Sequence, residues 1–188
     1  TFCMNRIAIT GGIGSGKSYV SALLEARGIP IYNADNESKR LTVSDEKIRN
    51  GLIALLGEEV YQGNMLNKTL LASYLFASSE NAAKVNAIIH PCVKADFLRW
   101  VDEHHYCDIV GLESAILYES GFDDVVDGVL MVYAPESLRV ERAMKRDGVS
   151  EAHIRARMAA QMDDEMKRQK ADWVVMNDGS ISLDEQLD

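Results

Sequence analysis

The stretch AITGGIGSGKSYV, residues 8–20, sets four glycines, a lysine and a serine directly after a short apolar run. A glycine inside regular structure costs about 0.5–1 kcal/mol relative to alanine, so this density calls for a use of the bare backbone. The use that fits is anion binding. Glycines let successive N–H groups turn inward as a nest, and a helix beginning near Gly16 adds the positive end of its dipole. Gly11, Gly16, Lys17 and Ser18 satisfy the spacing G-x-x-x-x-G-K-[ST]. With a strand before it and a helix after it, that pattern cradles phosphates, with the lysine reaching the β- and γ-phosphates and the hydroxyl facing Mg²⁺.

Outward from this stretch the chain supplies the required context. RIAIT (6–10) reads as a buried strand, and KSYVSALLEARG (17–28) switches to helical spacing. IPIYNAD (29–35), CDIVGLES (107–114), GVLMVYA (128–134) and DWVVMN (172–177) are further apolar runs. Separated by helical patterns, they predict an α/β fold with a parallel sheet covered on both faces. The segments 45–57, 67–77 and 80–105 look helical and exceed what a simple crossover needs, which predicts a helical substrate-binding insertion. Two helices, 135–148 and 150–171, are expected after the fourth strand, with Pro135 and Ser150 as start signals.

Composition narrows the class of function. Of 188 residues, 47% are hydrophobic, enough for a sizeable core. Twenty Lys and Arg against 29 Asp and Glu give a formal charge of -9, which argues against nucleic acid or an anionic membrane as partner. No apolar run approaches the roughly 20 residues of a membrane helix, so a soluble, cytoplasmic protein is expected. Cys3, Cys92 and Cys107 are odd in number and form no CxxC, which suits free thiols in a reducing compartment.

Other residues extend the phosphate reading. Asp35, closing the second strand, could orient an attacking hydroxyl and accept its proton, or could cap a helix. Arg139, Arg142 and Arg146 share one helix face; they either fold over a triphosphate or form a solvated stripe paired with Glu136 and Glu141. Glu113, at the end of the third strand, is placed to support Mg²⁺ or substrate. His90 precedes Pro91, and the break this pair makes in its helix either aims His90 into a pocket or is merely structural. His104 and His105 read as surface residues at a helix end.

The ordered set ITGGIGSGKS, IYNAD, IIHP, ESAILYE, RAMKRDGVS, AAQ and ADWVVMNDG covers nearly the whole chain and resembles the dephospho-CoA kinase family. The resemblance implies a P-loop NTPase-type, three-layer α/β/α fold with a five-stranded parallel sheet. The core would be residues 1–35, 106–135 and 171–188, the helical CoA-binding insertion about 36–105, and the helical lid about 136–170. It implies transfer of the ATP γ-phosphate to the 3′-hydroxyl of dephospho-CoA with Mg²⁺, by a monomer or weak homo-oligomer. Nucleoside and nucleoside monophosphate kinases are the alternative within small-molecule kinases.

By that resemblance Thr10, Gly11, Gly12, Ile13, Gly14, Ser15, Gly16, Lys17, Ser18 and Tyr19 hold the nucleotide phosphates, with Asn177 near the adenine and Ser18 on the metal. Asp35 matches the catalytic aspartate, and Lys17, Arg142 and Arg146 complete the catalytic set. Lys39, His90, Glu113 and Tyr118, with Asp35, are expected on the substrate side. The chain departs from the family at Asn33, where the first acid of Asp-Ala-Asp is usual, and at Tyr19, where threonine is usual. It departs again at Lys39, where arginine is frequent, and at Arg139, where glutamine is frequent.

Overall fold

Continuous β-branched runs must be covered on both faces, and in this protein they are. The computed structural model describes residues 4–188, so Cys3 lies outside the described residues. In chain order the elements are β1 (Asn5–Thr10), α1 (Lys17–Ala26), β2 (Ile31–Asn33), α2 (Ala34–Ser44), α3 (Glu46–Leu56), β3 (Tyr61–Gln62), β4 (Met65–Leu66), α4 (Lys68–Ala77) and α5 (Ser79–Glu103). There follow β5 (Ile109–Glu113), β6 (Gly128–Tyr133), α6 (Glu136–Asp147), α7 (Glu151–Ala159), α8 (Asp164–Lys170), β7 (Trp173–Met176) and α9 (Leu183–Leu187). The chain divides into two compact units, Ala34–Glu103 and the remainder.

The larger unit is built on one five-stranded sheet in the order β2-β5-β1-β6-β7, with every neighbouring pair parallel. The predicted α/β class and all five predicted strands are thus observed. Ile9 is in register with Glu113 on one side and Leu130 on the other, and Asn33 with Glu113. The C-terminal ends of β1, β2 and β5 therefore form one edge. One face buries Ile9, Leu130, Val132 and Val175 under Val20 and Leu24 of α1, with Leu183 and Leu187 of α9 against the same cluster. The alternate residues Ala8, Val110, Leu112, Val129 and Met131 are equally buried, and α8 packs on β6.

The smaller unit is organised by α5, 25 residues long. Its buried Val85, Ile89, Val93, Phe97 and Val101 recur every fourth residue. A helix turns 3.6 residues at a time, so this stripe winds slowly around the axis. The helix meets its neighbours in succession: Asn81 donates to the Tyr74 carbonyl of α4, Ile88 fills the space beside Gly51 of α3, and Asp96 pairs with Arg40 of α2 at 2.8 Å.

Three local expectations are corrected. The second strand ends at Asn33 rather than at Asp35, because Asp35 and Glu37 lie in the first turn of α2, where carboxylates are favoured by the helix dipole. The His90-Pro91 pair does not interrupt its helix; Pro91 sits inside α5, whose burial against three other helices outweighs the lost hydrogen bond. The predicted 150–171 helix is two helices. Asp163 accepts from the backbone N–H of Glu165 and Met166 and so starts α8 afresh, while Ser150 caps α7 as expected.

Phe97 is fully buried and Phe76 is 86% exposed. Phe97→Ala should lower the unfolding free energy by about 3–5 kcal/mol, whereas Phe76→Ala should stay within about 0.5 kcal/mol; urea titration of both variants checks the contrast.

Candidate active site

Between the last residue of β1, Thr10, and the first of α1, Lys17, the chain makes a closed arch in which Ser15 N–H donates to the Gly12 carbonyl at 3.1 Å. Gly14 and Gly16 lie in the left-handed region, with φ of 78° and 97°. A Cβ at Gly14 would run into the Arg139 carbonyl, and one at Gly16 into the Asn177 side chain. Gly16 begins α1 with no side-chain cap and no acidic residue in the first turn. The start of α1 therefore presents the positive end of its dipole uncapped by a side chain. The Thr10 and Ser15 hydroxyls are buried with no hydrogen-bond partner in the protein. Orphaned hydroxyl donors at the start of an uncapped helix fit an anion. Ile13, buried with Val140, Ala143 and Ile154, fastens the middle of the arch.

A carboxylate faces the other side of this cradle. Ser18 Oγ donates to Glu113 Oε1 at 3.0 Å, and Glu113 is buried. The serine oxygen keeps its lone pairs. A hydroxyl and a carboxylate together are the hard oxygen donors that Mg²⁺ takes alongside phosphate oxygens. Among the described residues no cluster of three or more His, Cys, Asp or Glu is placed to hold a metal ion, so the ion would rest on Ser18, Glu113 and its ligand. Lys17 opens α1 beside this pair, while Tyr19 is 61% exposed.

The arginines of α6 have three different environments. Arg139 is buried, donating Nε to the Ala134 carbonyl at 3.0 Å and Nη1 to the Ile13 carbonyl at 3.5 Å. Arg142 donates Nη2 to the Asn177 carbonyl at 2.7 Å, and its Nη1 is buried with no hydrogen-bond partner. Asn177 in turn donates Nδ2 to the Ser15 carbonyl at 2.8 Å, so Arg142, Asn177 and the phosphate loop form one chain. Arg146 is exposed and held by both oxygens of Asp147, at 2.6 and 3.0 Å. Asp147 also accepts from Arg157 at 2.7 Å, and these two guanidinium groups hold its carboxyl well below the usual carboxylate range. A stripe paired with Glu136 and Glu141 is not what forms, since Glu136 pairs with Arg155.

The remaining candidates separate. Asp35 and Lys39 are exposed one turn apart on α2, and His90 is half-buried on α5, all in the Ala34–Glu103 unit. Tyr118 is not brought to the phosphate loop. Its ring lies beneath Lys170 Nζ at 5.3 Å, and it feels the charge of Asp172, whose carboxylate accepts from Val129 N at the start of β6. That is the opposite end of the sheet, and burial followed by Asp172 and Asp123 pushes the phenol up to about 12. Sequence reasoning missed Asp164 and Lys167, which are charged positions on the buried face of α8. The Asp163-Asp164-Glu165 run signals a helix start and so could have located them.

Burial lowers the His90 pKa from 6.5, so the folded state favours neutral imidazole. Stability from His90 is then present above pH 6.5 and lost as pH falls towards the folded pKa. Unfolding free energies at pH 7.5 and 5.5 should fall less for His90→Gln than for the unaltered chain; equal losses would contradict this placement.

Comparison with known proteins bears on what this geometry serves. A family model described as dephospho-CoA kinase matches residues 5–183. The dephospho-CoA kinase of Bacteroides fragilis strain YCH46 is 55% identical over 182 residues, 97% of this chain and 89% of that protein. A crystal structure of a Thermus thermophilus protein superposes with a TM-score of 0.86 at 36% identity, over 98% of this chain and 94% of that one. The dephospho-CoA kinase from Campylobacter jejuni shares the fold, with a TM-score of 0.66 at 23% identity, over 95% and 90% of the two chains. With its phosphate loop and these relatives, the chain belongs to the dephospho-CoA kinase family.

Proposed function

We propose that this protein transfers the γ-phosphate of ATP to the 3′-hydroxyl of the dephospho-CoA ribose, giving CoA and ADP, in the cytoplasm and as a monomer or weak homo-oligomer. The observation that carries the reading is the Ser18–Glu113 hydrogen bond, which joins the phosphate loop to the strand edge from which Asp35 follows two residues after Asn33. Among the described residues no helix is long and apolar enough to cross a membrane.

Thr10 to Ser18 and the α1 N-terminus bind the phosphates, with Lys17 placing a point charge on the β- and γ-oxygens. Magnesium, when bound at Ser18 and Glu113, neutralises charge on those oxygens. Asp35 orients the ribose hydroxyl and takes its proton as the bond from O3′ to the γ-phosphorus forms and the bond from that phosphorus to the β-phosphate bridging oxygen breaks. Arg142 is positioned by Asn177 against the nucleotide side of the loop. Arg146 reaches phosphate by exchanging the Asp147 carboxylate for it, a like-for-like replacement of one oxyanion by another. Lys39 and His90 contribute to holding the large acceptor.

A coupled ADP-release assay across dephospho-CoA, nucleosides and nucleoside monophosphates tests the substrate. ADP release with dephospho-CoA supports the reading, and release only with a monophosphate overturns it. Asp35→Asn should reduce kcat by about 10²–10⁴-fold while ATP still binds, and Lys17→Ala should lose both ATP affinity and turnover. Near-normal turnover of Asp35→Asn would refute the role of that carboxylate.

A further inference from the structure

Buried charges outside the groups that touch the reacting atoms run along one flank of the phosphate loop. Arg139 Nη1 stands 3.5 Å from Asp164 Oδ2, and the two side chains are 8% and 11% exposed. The Asp164 carboxylate also lies against Gly12 of the loop. Arg139 donates to the Ile13 carbonyl on the next peptide, and its own carbonyl lies over Gly14. A Cβ at Gly12 would strike both the Arg139 guanidinium and the Asp164 carboxylate. One turn further along α8, Lys167 is fully buried, donates to the Ala115 carbonyl at 2.8 Å and faces Glu119 at 3.6 Å.

We propose that Arg139 and Asp164 are a positioning pair that clamps the Gly12–Gly14 limb of the phosphate loop from the two ends of the lid. Arg139 comes from α6, before α7, and Asp164 from α8, after it. The pair grips the loop at Gly12–Ile13, Arg139 bonding the Ile13 carbonyl and Asp164 packing against Gly12, and the orientation of these peptides sets the shape of the nest. A pair that served stability alone would have no need to bond the loop. Lys167 holds α8 to the segment that follows Glu113, so the helix that carries Asp164 cannot drift from the sheet.

Each charge is tolerable in a buried place because the other is there. Removing one partner leaves an uncompensated buried charge beside the loop, whereas removing both leaves none. The two substitutions should therefore affect nucleotide binding less together than the product of their separate effects.

The inference rests on the reading of this loop as the ATP site, and the test keeps the two separable. Equilibrium binding of a fluorescent ATP analogue with Mg²⁺, without acceptor, is measured on the full chain carrying Asp164→Asn, Arg139→Gln, both, or Arg139→Lys. The Tm and the KM for dephospho-CoA are followed in parallel. Each neutralising variant should raise the nucleotide Kd by about five- to tenfold, the size of an ordinary coupling between contacting charged groups, with the double variant below the product. The KM for dephospho-CoA should stay within about twofold, since the altered contacts are on the ATP side of the reaction. Arg139→Lys keeps the charge without the planar fork and should fall between the unaltered chain and Arg139→Gln. Should Arg139→Gln fail to fold, Asp164→Asn, close to isosteric, and Arg139→Lys still decide the matter. A lowered Tm with unchanged nucleotide Kd would reduce the pair to a structural one and overturn the proposal, as would effects that simply multiply. Failure of the unaltered chain to phosphorylate dephospho-CoA, with tight nucleotide binding retained, would instead count against the acceptor.

Discussion

A backbone that binds an anion with its own N–H groups has few side chains of its own to hold it in shape. The glycines that let Gly11–Gly16 turn inward remove the very groups that would pack it, so the loop must be fastened from outside. In this protein the fastenings come from distant parts of the sequence. Asn177, just past β7, holds Ser15; Arg139 of α6 holds Ile13; and the Ile13 side chain is sunk among Val140, Ala143 and Ile154. The fold around the loop is arranged so that the ends of β1 and β7 and the helices α6 and α8 all reach it. Residues far from 10–18 in sequence therefore touch the phosphate loop directly.

The sheet was readable in the sequence because each strand is a continuous apolar run, the pattern that burial on both faces enforces. The phosphate loop was readable because its spacing is a local property. What was not readable depended on competition between local and tertiary terms. Asp35 has the same neighbours in sequence whether it ends a strand or opens a helix; the favourable placement of Asp35 and Glu37 at the start of α2 decides it. Pro91 disfavours helix locally, yet α5 runs through it, because its buried stripe from Val85 to Val101 packs against three other helices. Asp163 interrupts a helical pattern that periodicity alone extends across it.

Among the site candidates, Ser18 and Glu113 meet, since α1 follows β1 through the phosphate loop and Glu113 ends β5, the strand paired with β1. Tyr118 did not join them. The residues after Glu113 leave the C-terminal edge and return along the sheet, so that Tyr118 ends near Asp172 and Lys170 rather than near the loop. Spacing in sequence carries no information about that reversal. Nor does it distinguish Arg139, buried and pinned, from Arg146, exposed and paired with Asp147, although the two share a helix face.

The acidic balance of the chain adds a last consequence. With a formal charge of -9, the general field opposes a polyphosphate ligand, so attraction must be local and correctly aimed. Leaving several arginines free near the loop would meet that need at the cost of repulsion among them. The structure instead gives each arginine an oxygen partner: Ala134 and Ile13 carbonyls for Arg139, the Asn177 carbonyl for Arg142, and the Asp147 carboxylate for Arg146. These partners differ in burial. A buried main-chain contact such as that of Arg139 is part of the frame, whereas an exposed side-chain ion pair such as Arg146–Asp147 contributes little to holding the fold. The gradation along one helix, from the buried main-chain contacts of Arg139 to the exposed side-chain pair of Arg146, gives α6 a fixed end against the loop and a solvent-facing end.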